Sequence, residues 1–107
     1  MKLWIDDLRT PPNGYMWVKS VNKAKEIIKE YSNKLDFDNN MVDEIELIDI
    51  DHDAGVYAND GGDYIKLLDW LEETGRNYPI RIHSQNSVGV QNMRAIIQKN
   101  GWKEVYG

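Results

Sequence analysis

The sequence predicts an α/β domain with a parallel sheet. Three observations lead there. Short runs rich in β-branched and aromatic residues alternate with segments whose apolar residues recur at helical spacing. The strand candidates are joined by helix-length connections, as parallel βαβ units require, which implies a sheet covered on both faces. Three of the strand candidates end in clusters of polar residues, and ligands of parallel sheets sit outside the carboxyl ends of the strands. The 107 residues fit one domain with one core.

Lys2 to Ile5 is a short strand that stops at Asp6-Asp7. Thr10 to Gly14, TPPNG, is a loop, since two prolines and Asn-Gly break regular structure. Tyr15 to Lys19, YMWVK, reads as the second strand. Ser20 is a good N-cap for a helix marked by Val21, Ala24, Ile27, Ile28 and Tyr31. Asn33 to Asn40 is polar and reads as irregular. Ile45 to Ile50 is the third strand, and Asp53 to Gly62, with three glycines, a loop. Tyr64, Leu67, Leu68 and Leu71 mark a second helix ending near Gly75. Pro79 to His83 is the fourth strand. Val90, Met93 and Ile97 mark a third helix, capped by Asn86 or Ser87 and closed by Gly101. Trp102 to Tyr106 reads as a fifth strand.

Composition narrows the function. Cysteine is absent, which removes disulfides, thiolate metal sites and a cysteine nucleophile. The net charge of −5 disfavours binding of duplex nucleic acid through bulk electrostatics. No apolar run approaches a membrane span, and Met1 to Ile5 meets Asp6-Asp7 at once, unlike a secretory leader. A cytoplasmic protein is therefore expected.

If the strands are parallel, Asp6-Asp7, Asp51-His52-Asp53 and His83-Ser84-Gln85-Asn86 share one edge of the sheet. Asp6, Asp7 and Asp51 together would repel without a cation. Hard oxygen ligands in small number, with positions left for water and phosphate, suit Mg²⁺, with Mn²⁺ as a similar ion. A calcium loop over Asp49, Asp51, Asp53 and Asp60 is disfavoured, because its sharp turn needs glycine where Ala54 stands. His52 and His83 are the only histidines, and two imidazoles at one site can serve as general acid and base. Ser84 and Asn86 add hydrogen-bond donors for a phosphoryl oxygen, and Arg9 is placed to clamp a phosphate. Arg81 points to a sheet face by alternation and is not expected to reach the site. The aromatic residues read mostly as packing, although Tyr57 could cover a base or sugar. Asp49 lies one step inside the third strand, so it is either a buried, partnered carboxylate or a sign that the strand is exposed.

These residues resemble a response-regulator receiver domain, whose acidic pair, acceptor aspartate and Ser or Thr match Asp6-Asp7, Asp51 and Ser84. Two features depart from that pattern. No lysine stands in the place after the fifth strand, and TPPNG replaces the first crossover helix. The chain more closely resembles the cyclic-phosphate processing receiver-like domains. It carries Asp6-Asp7-Leu8-Arg9-Thr10-Pro11, Gly14-Tyr15-Met16-Trp17-Val18, Asp51-His52-Asp53-Ala54-Gly55 and His83-Ser84-Gln85-Asn86-Ser87-Val88-Gly89. The resemblance implies a three-layer, flavodoxin-like α/β sandwich with a five-stranded parallel sheet in the order 2-1-3-4-5. It also implies a metal-assisted phosphoesterase acting on a cyclic phosphate, such as a 2′,3′-cyclic nucleotide or RNA end. Asp6, Asp7 and Asp51 would then hold the cation, His52, His83 and Asp51 would be catalytic, and Arg9, Ser84 and Asn86 would bind the substrate. The expected partner is a small phosphorylated ligand or an RNA terminus. The alternatives are a non-enzymatic nucleotide- or protein-binding module and a phosphoacceptor receiver.

Overall fold

Leu3 and Ile5 alternate with Lys2 and Trp4, and that two-residue period organises the protein. The computed structural model describes residues 1–106. The elements in chain order are β1 (Lys2–Ile5), β2 (Tyr15–Val18), α1 (Val21–Tyr31), β3 (Lys34–Leu35) and β4 (Met41–Val42). They continue with β5 (Leu47–Ile50), a 3-10 turn over Gly55–Asn59, α2 (Ile65–Glu73), β6 (Ile80–Ile82) and α3 (Ser87–Asn100). The main sheet runs β2-β1-β5-β6 and is parallel throughout. Leu3, Ile5, Val18, Ile48, Ile50 and Ile80 point to one face and join a single core with the buried sides of the helices.

The expected fifth strand is reduced to one bridge, Ile80 with Glu104. Two backbone bonds support it: Ile80 N to the Lys103 carbonyl, and Val105 N to the Ile80 carbonyl. The cause is local. Gly101, at φ 67°, ends α3 in the left-handed conformation. Trp102 then turns into the core, and Glu104 is held by a bidentate pair with Arg94. One residue is left in register with β6. The sheet therefore has four strands, in the relative order expected for the first four. The polar stretch expected to be irregular also differs, because Lys34–Leu35 and Met41–Val42 pair as an antiparallel hairpin. The Asp36 carboxylate accepts the amides of Asp38 and Asn40 and shapes its turn.

Chain direction explains the layering. The connections β2-α1-β5 and β5-α2-β6 both move the same way across the sheet. Right-handed crossovers therefore put both helices on one face, and α3 packs beside α2. The connection from β1 to β2 moves the opposite way and belongs on the other face. Residues 6–14 form that connection without a helix. They lie on the face of Trp4, whose Nε1 donates to the Arg9 carbonyl at 2.8 Å. Among the described residues the second helical layer expected from the sequence is thus not built, and a loop takes its place. That loop leads straight out of the acidic pair. Among the described residues no helix is long and apolar enough to cross a membrane.

Candidate functional site

The sheet register lines up Val18, Ile5, Ile50 and Ile82. The next residue of each strand therefore forms a row along the carboxyl edge: Lys19, Asp6, Asp51 and His83. Backbone bonds hold the row, from Asp6 N to Val18, Asp51 N to Ile5 and His83 N to Ile50.

Asp6 is 1% exposed, and both of its carboxylate oxygens have partners. Its Oδ1 accepts the amides of Leu8 and Arg9, and its Oδ2 meets His83 Nε2 at 2.9 Å. Burial alone would raise this carboxyl, but the two amides and His83 outweigh it and hold it below its ordinary value. The other ring nitrogen of His83, Nδ1, lies 2.6 Å from Asp49 Oδ1. Asp49 is fully buried, and its Oδ2 receives Arg81 Nη1 at 3.1 Å. The imidazole stacks on Trp4 with centroids 3.8 Å apart and planes 6° from parallel. Two buried carboxylates thus hold the two nitrogens of one ring. Arg81, which alternation seemed to remove from the site, joins it through Asp49. Trp4, expected only to pack, forms the floor under His83. The signal was present in the pattern, since Trp4, Asp49 and Arg81 are register partners on one face.

Asp7 and Asp51 complete the acidic cluster. One oxygen from each of Asp6, Asp7 and Asp51 lies within 4.8 Å of the others. Burial first, then the charges of Asp6 and Asp51, raise the Asp7 carboxyl above its ordinary value. Gly55, at φ 57°, lets the backbone approach so closely that a Cβ there would stand 2.5 Å from Asp7 Oδ2. Asp51 Oδ1 accepts the His52 amide at 2.7 Å. Three converging carboxylates, one of them disfavoured as an anion, fit a divalent cation. The set is all oxygen, as a hard ion prefers.

His52 leaves β5 toward the start of α3. Its Nδ1 meets Asp53 Oδ1 at 2.9 Å, and that bond holds the Asp53 carboxyl below its ordinary value. Nε2 makes no hydrogen bond among the described residues. The ring lies flat against α3, because a Cβ on Gly89 would be 2.4 Å from His52 Cγ. Asn86 caps α3 by accepting the Gly89 amide at 2.9 Å, and its Nδ2 turns toward the Asp53 carboxylate at 3.4 Å. Of the two cap candidates in the sequence, Asn86 is the cap. Ser84 Oγ accepts the Asn86 amide. Arg9 Nη1 donates to the His83 carbonyl at 2.9 Å, which ties the loop to the end of β6.

The edge thus holds an acidic cluster, a carboxylate-braced histidine with an open nitrogen, and a second histidine between two buried carboxylates. Residues 1–99 match the model of the cyclic-phosphate processing Receiver domain. No curated protein and no solved structure matches the chain. With the family model spanning all four strands and nearly all of α3, the chain belongs to the cyclic-phosphate processing receiver domains.

Proposed function

We propose that the protein is a metal-assisted phosphoesterase that opens a cyclic phosphate, such as the 2′,3′-cyclic end of a nucleotide or RNA. The observation that carries this reading is the three-carboxylate cluster at the strand ends together with His52, which follows Asp51 and whose Nε2 makes no hydrogen bond among the described residues. Asp6, Asp7 and Asp51 would hold Mg²⁺ or Mn²⁺, which when bound polarises the phosphoryl group and lowers the cost of its negative charge.

His52 is the general base. Asp53 fixes its Nδ1, which leaves Nε2 as the acceptor for a water proton. The water oxygen bonds to phosphorus as the P–O bond to one ribose oxygen breaks. The proton taken from water is returned to that ribose oxygen, so the product is a phosphomonoester and the balance closes. Arg9, Ser84 and the N-terminal turn of α3 after Asn86 lie on the same edge and offer N–H and O–H groups to the equatorial oxygens.

His83 has both nitrogens engaged, so its part is to fix Asp6 and Asp49 in place. The two carboxylates against His83 also favour a second reading, in which His83 is the acid for the departing oxygen. An aryl leaving group separates the two, since it needs no proton. If His83 positions Asp6, His83→Gln is equally impaired on aryl and alkyl esters; if it is the acid, the aryl ester restores turnover.

The supporting experiment is incubation with 2′,3′-cyclic nucleotides and cyclic dinucleotides, with and without Mg²⁺ and Mn²⁺, read by phosphorus NMR. A ligand that binds and returns intact would make the protein a binding module. Labelling of Asp51 by acetyl phosphate would make it a phosphoacceptor.

A further inference from the structure

A cleft of about 640 Å³ opens at the outer edge of β2. Its walls include Trp17 and Val18 of β2, Ile27 of α1, Tyr57 of the 3-10 turn, and the side chains of Lys19 and Lys23. Trp17 is the link to the site, because its Nε1 donates to the Asp6 carbonyl at 2.8 Å. Lys19 follows Val18 in the edge row and is the neighbour of Asp6 across the sheet. Tyr57 stands two residues after Gly55, which packs against Asp7.

The contents of the cleft are unusual for this chain. The protein carries a net charge of −5, yet two lysines line this one cleft. The acidic residue there, Asp60, is already engaged by Ser20 Oγ at 2.6 Å and Asn22 Nδ2 at 2.9 Å. Trp17 is 37% exposed, a large aromatic surface left open on an edge strand. The Lys19 ammonium lies 4.5 Å from the Trp17 ring centroid and 5.9 Å from that of Tyr57. A cation therefore bridges two π-faces in the position a planar ring would stack against.

We infer that this cleft is the base-binding subsite of the same site, and that the ligand is a nucleotide or an RNA 3′ end. The base takes the place of the Lys19 ammonium between Trp17 and Tyr57, and the displaced Lys19, with Lys23, faces the 5′ phosphate of the ligand. The inference rests on the phosphoesterase reading for the neighbouring chemistry, but the binding it claims does not need turnover. Stacking of a base on an aromatic face is sequence-tolerant, and its loss on truncation weakens binding by about tenfold or more. Cationic contacts to phosphate make such binding weaken with salt.

The test uses the full chain and adenosine monophosphate as probe, with tryptophan fluorescence as the readout. The nucleotide should quench the emission, and Trp17→Phe should remove that quenching. Tyr57→Ala and Lys19→Ala should each weaken binding by about tenfold. Turnover is then compared on a 2′,3′-cyclic nucleotide and on a base-free cyclic phosphate of a simple 1,2-diol. Tyr57→Ala should raise KM for the nucleotide and leave the base-free ester unchanged. Nucleotide affinity that is the same in wild type, Tyr57→Ala and Lys19→Ala overturns the inference. Weakened binding in the variants, in a wild type that turns over neither ester, supports the subsite and sinks the phosphoesterase reading instead.

Discussion

Nδ1 of His83 lies 2.6 Å from Oδ1 of Asp49, a carboxylate with no solvent exposure. Asp6, almost as buried, holds the other side of the ring. Removing the imidazole leaves one oxygen of each carboxylate without its partner in a low-dielectric interior. His83→Ala should therefore destabilise the fold by about 3–5 kcal/mol. Asp49→Asn keeps an acceptor toward Nδ1 and should cost less, on the order of 1–2 kcal/mol. Urea unfolding of both variants checks the order, and equal losses would refute the bridging account.

Asp7 predicts a pH signature. Its carboxyl is raised from an ordinary value of 3.8, so between that value and its folded value the folded chain binds more protons than the unfolded chain. Stability then falls as pH rises through this window, and the deficit persists at neutral pH. Asp7→Asn should raise the metal-free Tm at pH 7, with the gain disappearing below the ordinary carboxylate value. Thermal scans across pH measure it, and a metal-free Asp7→Asn that melts lower than wild type at pH 7 contradicts it.

The same crowding makes the cluster respond to cations. Mg²⁺ or Mn²⁺ should raise the Tm of wild type by mass action on the folded state. The rise should shrink in Asp7→Asn and Asp51→Asn, because each loses a charged ligand. Calorimetric titration reads the affinity directly. Equal cation affinity in all three proteins would remove the metal from the account.

Gly89 tests how His52 is seated. An added methyl at this position meets the His52 ring at 2.4 Å, so Gly89→Ala must displace the imidazole or the helix. The expected result is a large fall in kcat with a stability loss of about 1–3 kcal/mol. Asn86→Ala removes the cap of the same helix for about 1 kcal/mol and also frees Asp53. Circular dichroism and kinetics on the pair separate ring displacement from helix fraying.

The carboxyl edge was legible because strand periodicity and polar strand ends are local features. Asp6-Asp7, Asp51 and His83 each follow an apolar run, and a parallel sheet brings such ends together. The Asn86 cap was legible for the same reason. The partners of Asp49 were not, since its link to His83 and Arg81 depends on which strand lies beside which. Alternation put Arg81 on a face correctly, and the register then carried that face into the site. The segment Trp102 to Tyr106 had strand-like composition, but burial of Trp102 and the Arg94–Glu104 pair decide its path. The hairpin at Lys34–Leu35 and Met41–Val42 rests on a turn made by one aspartate side chain, with almost no periodic signal.

The most direct test is phosphorus NMR of a 2′,3′-cyclic nucleotide with Mg²⁺, comparing wild type with His52→Gln. The account predicts conversion to a phosphomonoester by wild type, and a loss of about 100-fold or more in a folded His52→Gln, the scale expected for a general base. Turnover by His52→Gln at the wild-type rate would contradict it.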